Sequence, residues 1–145
     1  MTERIANCAC GLLQLLCNGE PRRISICHCF ECQRRTGSLF GVGAFFERDA
    51  VSIHQGVTKA FTRNSITGKP VTLHFCPDCG STVFWYPERM PDLVGVAVGA
   101  FADPSFRQPE QSVWTRDKHA WLNLPDDMRN FAVMPPPRGP IGKAP

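Results

Sequence analysis

Seven of the eight cysteines in this chain fall into three short motifs, and this clustering limits how the chain can fold. The motifs are Cys8-Ala9-Cys10-Gly11, Cys27-His28-Cys29-Phe30-Glu31-Cys32 and Cys76-Pro77-Asp78-Cys79-Gly80. Clustered cysteines form disulfides, carry out redox chemistry or bind a metal. A site shared between the motifs would bring the two halves of the chain together.

The cellular compartment determines whether such cysteines form disulfides or stay reduced. Residues 1–8 (MTERIANC) contain no apolar stretch of the kind found in a secretory signal. The longest apolar run, residues 93–101, is far shorter than the roughly 20 residues that span a membrane. We therefore expect a cytoplasmic protein with no membrane segment, in which thiols stay reduced. For reduced cysteines, this pattern indicates metal binding or catalysis.

The C-P-x-C-G motif has the form of a zinc knuckle. Its short turn lets the sulfurs of Cys76 and Cys79 face one point, and Gly80 can take the positive φ that turns backbone N–H groups toward thiolates. Cys8 and Cys10 form an isolated pair that can complete a tetrahedral structural zinc site. A redox pair is the alternative, but it requires a βαβ unit that the sequence does not predict.

Cys27, Cys29 and Cys32 remain as a group of three. Three protein ligands with one open position are the arrangement of a catalytic zinc. Cys17 or a histidine can instead close the site, although Cys17 lies in an apolar segment where a buried structural thiol is expected. We predict two Zn²⁺ ions per chain, one structural and one open to water or a substrate.

Three residues near this group are predicted to contact a substrate. Arg34 and Arg35 can offset the negative charge of a three-thiolate zinc or bind a substrate carboxylate, and a solvated basic turn is the alternative. His28 lies between two ligands, so its side chain is expected to point away from their metal. It is predicted to be a substrate contact or a structural residue.

Short apolar or alternating segments separated by Gly, Pro or Asp indicate strands. The predicted strands are 11–17, 23–27, 39–46, 51–53, 58–61, 71–75, 82–86 and 93–98. Asn18-Gly19 is predicted to be a hairpin turn from which strand 23–27 returns. Helical periodicity is nearly absent, with short turns expected near 47–50 and 125–130. The pattern predicts an all-β fold of two packed antiparallel sheets.

Length and charge indicate the number of domains and the kinds of partner to expect. Residues 1–134 have the size of one domain, and the proline-rich residues 135–145 are predicted to form an extended or disordered tail. The net charge is +3, and no run of five basic residues occurs, which argues against nucleic acid as a partner. Segment 93–98 is apolar enough to lie in the core or at the edge of a homodimer.

The three motifs in this order resemble the glutathione-dependent formaldehyde-activating family, which also includes centromere protein V. The resemblance runs over residues 8–121 and includes the late segment SVWTRDKHAWLNLPDD. It implies a compact β-tent fold with zinc-knuckle hairpins. It also implies a structural zinc held by Cys8, Cys10, Cys76 and Cys79, and a second zinc with an exchangeable position held by Cys27, Cys29 and Cys32. The family's type reaction joins formaldehyde and glutathione to give S-hydroxymethylglutathione, and its members are classed as carbon–sulfur lyases.

The leading hypothesis is therefore a zinc-dependent carbon–sulfur lyase that acts on a thiol–aldehyde adduct, with a small thiol such as glutathione as its partner. The alternative is a non-catalytic zinc-binding module for protein or nucleic acid. A fourth protein ligand on the second zinc, such as Cys17, would favour that alternative. A redox sensor that oxidises and releases zinc is a third hypothesis.

Overall fold

The structure is a computed structural model that describes residues 2–135. Its strands within this range are β1 Glu3–Asn7, β2 Gln14–Asn18, β3 Arg23–Cys27, β4 Gly41–Glu47, β5 Val51–Gln55, β6 Lys59–Asn64, β7 Pro70–Phe75, β8 Thr82–Pro87, β9 Leu93–Ala97, β10 Gln111–Val113 and β11 Arg129–Asn130. Its helices are α1 Phe30–Thr36 and short 3₁₀ turns at Arg48–Ala50, Val98–Phe101 and Thr115–Asp117. The predicted mainly-β fold is confirmed. The predicted tail lies, from residue 136 onward, outside the described residues.

The strands form two sheets. The smaller sheet is antiparallel, with strand order β1-β2-β5. The larger has the order β11-β10-β3-β4-β9-β8-β7-β6, and it is mixed because β10 runs parallel to both β3 and β11. The two packed sheets were predicted, but the parallel strands were not, because a strand as short as β10 gives little sequence signal.

The hydrophobic core lies between the two sheets. Its buried side chains include Leu15 and Cys17 from the smaller sheet and Ile24, Ala44, Phe46, Val94 and Val96 from the larger. Side chains alternate between the two faces of a strand. The larger sheet therefore directs one set of residues into this core and the alternate set to its opposite face.

One prediction about strand placement was wrong, and one open alternative is decided. Strand β3 does not return from β2, because β2 pairs with β1 and β5 while β3 pairs with β4 and β10. The chain instead passes from one sheet to the other after Gly19, whose N–H donates to the carbonyl of Thr2. Of the two positions predicted for segment 93–98, the structure shows the core, because Leu93–Ala97 forms β9, a buried strand hydrogen-bonded to β4 and β8.

The helix α1 was not predicted. It has seven residues and buries none of them, so it carries no apolar periodicity. Cys29 caps its start by accepting a hydrogen bond from the N–H of Cys32 at 3.4 Å, and Gly37 ends it with φ +70°. The expected turn near 47–50 is confirmed as a 3₁₀ turn. No helix within residues 2–135 has the length and apolarity to cross a bilayer.

Candidate metal centres and the adjoining cavity

The first candidate centre joins the two halves of the chain. The sulfur atoms of Cys8, Cys10, Cys76 and Cys79 all lie within 4.8 Å of one another. The Cys10 sulfur is 3.6 Å from that of Cys8 and 3.7 Å from that of Cys76. A tetrahedral zinc with Zn–S bonds of about 2.3 Å holds its sulfur atoms about 3.8 Å apart. The spacing therefore fits a four-coordinate structural metal ion.

Two similar turns shape this centre. Gly11 and Gly80 both have positive φ, at +81° and +77°. Their N–H groups donate to the carbonyls of Cys8 and Cys76, at 3.1 and 2.8 Å, which closes each short loop around its pair of thiols. The positive φ predicted for Gly80 is confirmed, and only glycine adopts it without steric cost.

Hydrogen-bond donors surround these sulfur atoms. The N–H of Leu13 donates to Cys8 Sγ at 3.2 Å, and the Ser81 hydroxyl lies 3.3 Å from Cys79 Sγ. Hydrogen bonds from the Ser81 hydroxyl and N–H lower the pKa of Cys79 to about 5. The Ser81 hydroxyl also accepts a hydrogen bond from the N–H of Ala9 at 3.0 Å. This bond links the turn that carries Cys8 and Cys10 to the turn that carries Cys76 and Cys79. Such donors favour the thiolate form that a metal binds.

The second candidate centre lies where β3 meets α1. Cys27 ends the strand, Cys29 caps the helix and Cys32 lies in the helix's first turn, so that their sulfur atoms lie within 4.8 Å of one another. We call these residues the cysteine trio. No further His, Cys, Asp or Glu in residues 2–135 joins it. Cys17 lies instead in the core of the other sheet, where burial raises its pKa to about 12.

Neighbouring groups favour the anionic form of the Cys32 side chain. Hydrogen bonds from the thiols of Cys27 and Cys29 hold the pKa of Cys32 well below its usual range. The guanidinium of Arg35 lowers it further through its charge and a hydrogen bond. The negative charge of the trio therefore develops beside a cation, which stabilises the anionic sulfur.

Arg35 and Trp85 pack across the larger sheet because glycines leave room for them. The Arg35 guanidinium carbon lies 4.6 Å from the centre of the Trp85 ring. A Cβ at Gly41 would lie 2.4 Å from Arg35 Nη2, and a Cβ at Gly43 or Gly95 would lie 2.8 or 2.4 Å from the Trp85 ring. The absence of side chains at these three glycines of β4 and β9 therefore leaves the space that the Arg35–Trp85 cation–π pair occupies.

The trio, Arg35 and Trp85 line a cavity of about 160 Å³ on the sheet face opposite the core. Further apolar lining comes from Phe45, Leu73, Val113, Trp114 and Met134. The cationic lining residues are Arg23, Arg35, Arg63, Lys69 and Arg89. Across residues 2–135, no Asp or Glu lines this cavity. The cavity therefore suits a ligand that is partly apolar and carries negative charge.

The predicted substrate contacts fall in different places. Arg35 lines the cavity, but the Arg34 side chain is 75% exposed and pairs with Glu31 at 3.5 Å. His28 is fully buried outside the cavity, with Nε2 2.8 Å from the Ser112 hydroxyl, and burial lowers its pKa. The expectation that His28 points away from the metal centre agrees with this position. Of the three residues, the structure brings only Arg35 to the cavity.

Among the cavity residues that the sequence did not indicate are Trp85, Ser25 and Gln111. Trp85 lies in predicted strand 82–86, whose sequence does not show which of its faces adjoins the cysteine trio. Ser25 had a usable signal, because it alternates with Cys27 along a predicted strand and so shares its face. Gln111 had none, since β10 was not predicted.

The chain matches the family model described as glutathione-dependent formaldehyde-activating enzyme over residues 3–117. The protein belongs to this family. A Penicillium rubens protein is 27% identical over 123 residues, which cover 78% of this chain and 62% of that protein. A Halomonas elongata protein is 23% identical, covering 81% of this chain and 78% of that protein. Both relatives carry the provisional name of glutathione-dependent formaldehyde-activating enzyme.

The chain thus spans less than two thirds of the length of the Penicillium relative. A crystal structure of a Rhodobacter sphaeroides protein superimposes with a TM-score of 0.55 at 18% identity. The match covers 72% of this chain and 91% of that one, and it shows a shared fold.

Proposed function

We propose that the protein catalyses the reversible joining of a thiol and an aldehyde, such as glutathione and formaldehyde, and so acts as a carbon–sulfur lyase in the reverse direction. The observation that carries this proposal is a cluster of three thiols, with no fourth protein ligand in residues 2–135, that lines a cavity. The family name supports glutathione and formaldehyde as the reactants.

The residues fit two zinc ions with different roles. Cys8, Cys10, Cys76 and Cys79 would hold a structural Zn²⁺, and the cysteine trio would hold a second one. Zinc bound by three thiolates supplies a position for a substrate sulfur and favours its thiolate form at neutral pH.

The reaction is balanced without an oxidant or reductant. Joining the two substrates forms one C–S bond, converts the carbonyl to a hydroxyl, and transfers the thiol proton to the former carbonyl oxygen. Negative charge develops on that oxygen as the bond forms. Arg35 lies beside the trio and can stabilise this charge, while Trp85 fixes the guanidinium by stacking and reduces its access to water.

The reaction itself gives the direct test. Exchange between ¹³C-formaldehyde and its glutathione adduct can be measured by NMR. We expect the zinc-loaded protein to raise the exchange rate by at least about tenfold over that of a buffer containing the same zinc concentration. If glutathione, cysteine and 2-mercaptoethanol all exchange at the buffer rate, the proposal is wrong.

Arg35 and Arg34 form a matched pair for a second prediction. Loss of a charged hydrogen bond near the reacting atoms costs roughly 1.5–3 kcal/mol. Arg35→Met is therefore expected to lower kcat/KM roughly 10- to 100-fold. Arg34→Met should change it little, since the Arg34 pair with Glu31 is exposed. Steady-state kinetics with matched zinc content would measure both variants, and equal losses would contradict the assignment.

The geometry offers less support to a binding module for protein or nucleic acid. Cys17, which was to complete a closed second site, lies in the other sheet. One arginine of each doublet is paired with a carboxylate, Arg22 with Glu47 and Arg34 with Glu31, and the other lines the cavity beside the trio. The lyase therefore remains the function that we propose.

A further inference from the structure

We propose that residues 131–135 form a movable strap that closes the cavity, and that a ligand larger than the closed cavity enters only when this strap opens. The inference concerns access to the cavity rather than the identity of the substrate. It rests on the proposed function in one respect, because it takes the cavity beside the cysteine trio as the place where a substrate binds.

The strap crosses the mouth of the cavity. Its first residues lie beside β10, where the N–H of Thr115 donates to the carbonyl of Phe131 at 3.1 Å. Its last residue reaches the opposite side, because Arg89 Nη2 donates to the carbonyl of Pro135 at 2.8 Å. Arg89 lies in the loop between β8 and β9, and strands β3 and β4 separate β9 from β10 in the sheet. At about 4.8 Å per strand, the strap and the Arg89 side chain together bridge roughly 14 Å.

Met134 is the strap residue that lines the cavity. Its side chain packs against the buried cluster of Cys29, Val113 and Trp114. The preceding side chain, Val133, is 42% exposed and does not line the cavity. The strap therefore contributes an apolar side chain to the cavity wall directly beside the trio, and opening of the strap removes that part of the wall.

The closed cavity is small compared with most ligand sites. Its volume is about 160 Å³. Pockets that enclose a drug-sized ligand measure about 300–1,000 Å³. The closed cavity therefore has room for a thiol such as 2-mercaptoethanol but not for a tripeptide such as glutathione. One wall must move before a ligand of that size can be enclosed.

The strap is attached more weakly than the strands beneath it. Strands β3, β4 and β9 are each hydrogen-bonded to a neighbouring strand on both sides. The strap is bonded to β10 and the turn that follows it, and these bonds lengthen from 2.9 Å at the N–H of Phe131 to 3.4 Å at the carbonyl of Val133. Segments held in this way can open locally while the rest of the domain stays folded.

The backbone that the strap contacts is strained. Trp114 has a φ of +57°, a value that bulky residues rarely adopt. Its N–H donates to the carbonyl of Val133, and its side chain lines the cavity. A conformation of this kind persists only while the surrounding contacts hold it. Opening of the strap therefore also releases Trp114, so that the cavity can widen at both Met134 and Trp114.

Hydrogen exchange tests whether the strap opens. The N–H groups of Trp114, Thr115 and Arg116 donate to carbonyls of the strap, so their exchange rates in the zinc-loaded protein, measured by NMR, report its release. Arg89→Met removes the hydrogen bond to Pro135. We expect this variant to raise the three exchange rates by at least about fivefold.

Arg107→Met is the matched control for this measurement. Arg107 Nη2 also donates to a proline carbonyl, that of Pro21 at 3.3 Å, but Arg107 does not line the cavity. It should change the same three exchange rates by less than about twofold. If Arg89→Met leaves these rates unchanged, or if both variants raise them equally, the strap is not held by Arg89 and the inference is wrong.

The kinetics of thiol binding test whether the strap limits access. Association of glutathione and of 2-mercaptoethanol with the cobalt-substituted protein would be followed by stopped-flow absorbance. Met134→Ala weakens closure of the strap, so we expect it to raise the glutathione association rate by at least about fivefold. The rate for 2-mercaptoethanol, which fits the closed cavity, should change by less than about twofold.

Two further variants keep the kinetic result interpretable. Val133→Ala alters the neighbouring strap residue, whose side chain lies outside the cavity, and should leave both association rates within about twofold of the wild type. Met134→Val is a milder change that serves if Met134→Ala fails to fold, and it is expected to raise the glutathione rate in the same direction.

The outcomes separate this inference from the proposed function. If glutathione associates equally fast with the wild type and with the Met134 variants, the strap does not limit access, and the inference is wrong while thiol binding stands. If Met134→Ala accelerates both thiols equally, the strap does not discriminate by size, and the inference is again wrong. If neither thiol binds the wild type or any variant, the proposed function fails, and the role of the strap in substrate entry fails with it.

Discussion

Replacing Cys76 with alanine is expected to remove one metal ion per chain and to lower the free energy of unfolding by an amount on the order of 10 kcal/mol. Cys76 is 1% exposed and belongs to the four-cysteine cluster that joins the N-terminal segment to the β7–β8 turn. Folded domains are stable by only about 5–15 kcal/mol. The variant should therefore be largely unfolded at 37 °C, as measured by circular dichroism together with metal analysis.

Cys17→Ala is the matched control for this experiment. Cys17 is also a fully buried cysteine, but it belongs to neither cluster. Its replacement removes only core packing, which costs on the order of 1 kcal/mol, and leaves the metal content unchanged. If the two variants unfold at the same temperature with equal metal content, the four-cysteine cluster is not a structural metal site.

Replacing Cys29 with serine is expected to abolish activity while leaving the fold intact. Cys29 is both a member of the trio and the N-cap of α1, and serine is a better N-cap than cysteine. The helix should therefore still form, whereas the second metal site loses one thiolate. Loss of several kcal/mol of transition-state stabilisation corresponds to a fall in kcat/KM on the order of 10³-fold.

Metal analysis and cobalt spectroscopy would check this second prediction. The Cys29→Ser protein should hold one metal ion instead of two, and its cobalt spectrum should not respond to glutathione. The Cys17→Ala protein should hold two ions and respond as the wild type does. Retention of two ions and of the glutathione response by Cys29→Ser would show that the trio is not the substrate-binding centre.

The grouping of the cysteines was accessible from the sequence because it depends on local chemistry. A C-P-x-C-G turn fixes the direction of its own two thiols, and the only isolated pair left to complete it was Cys8 and Cys10. The trio follows in the same way from six consecutive residues. The strands were also predictable, since alternation and turn residues are local signals.

The cavity was not predictable because long-range packing forms it. Trp85 reaches the site only because Gly43 and Gly95, on two other strands, leave space for its ring. The choice of Arg35 over Arg34 depends on the short helix α1, which directs one side chain to the cavity and the other to solvent. Gln111 reaches the site through a parallel pairing with β3 that spans more than eighty residues of chain.

The two cysteine pairs of the four-cysteine cluster are far apart along the chain, and this separation sets the order in which the two clusters are completed during synthesis. Cys10 and Cys76 are 66 residues apart, so at about 5–20 residues per second a ribosome makes the second knuckle roughly 3–13 s after the first. During that interval the first pair of thiols has no partner pair, whereas the trio is complete within six residues. A nascent chain therefore completes the trio first, whereas the four-cysteine cluster can assemble only once β7 and the turn that follows it have been made.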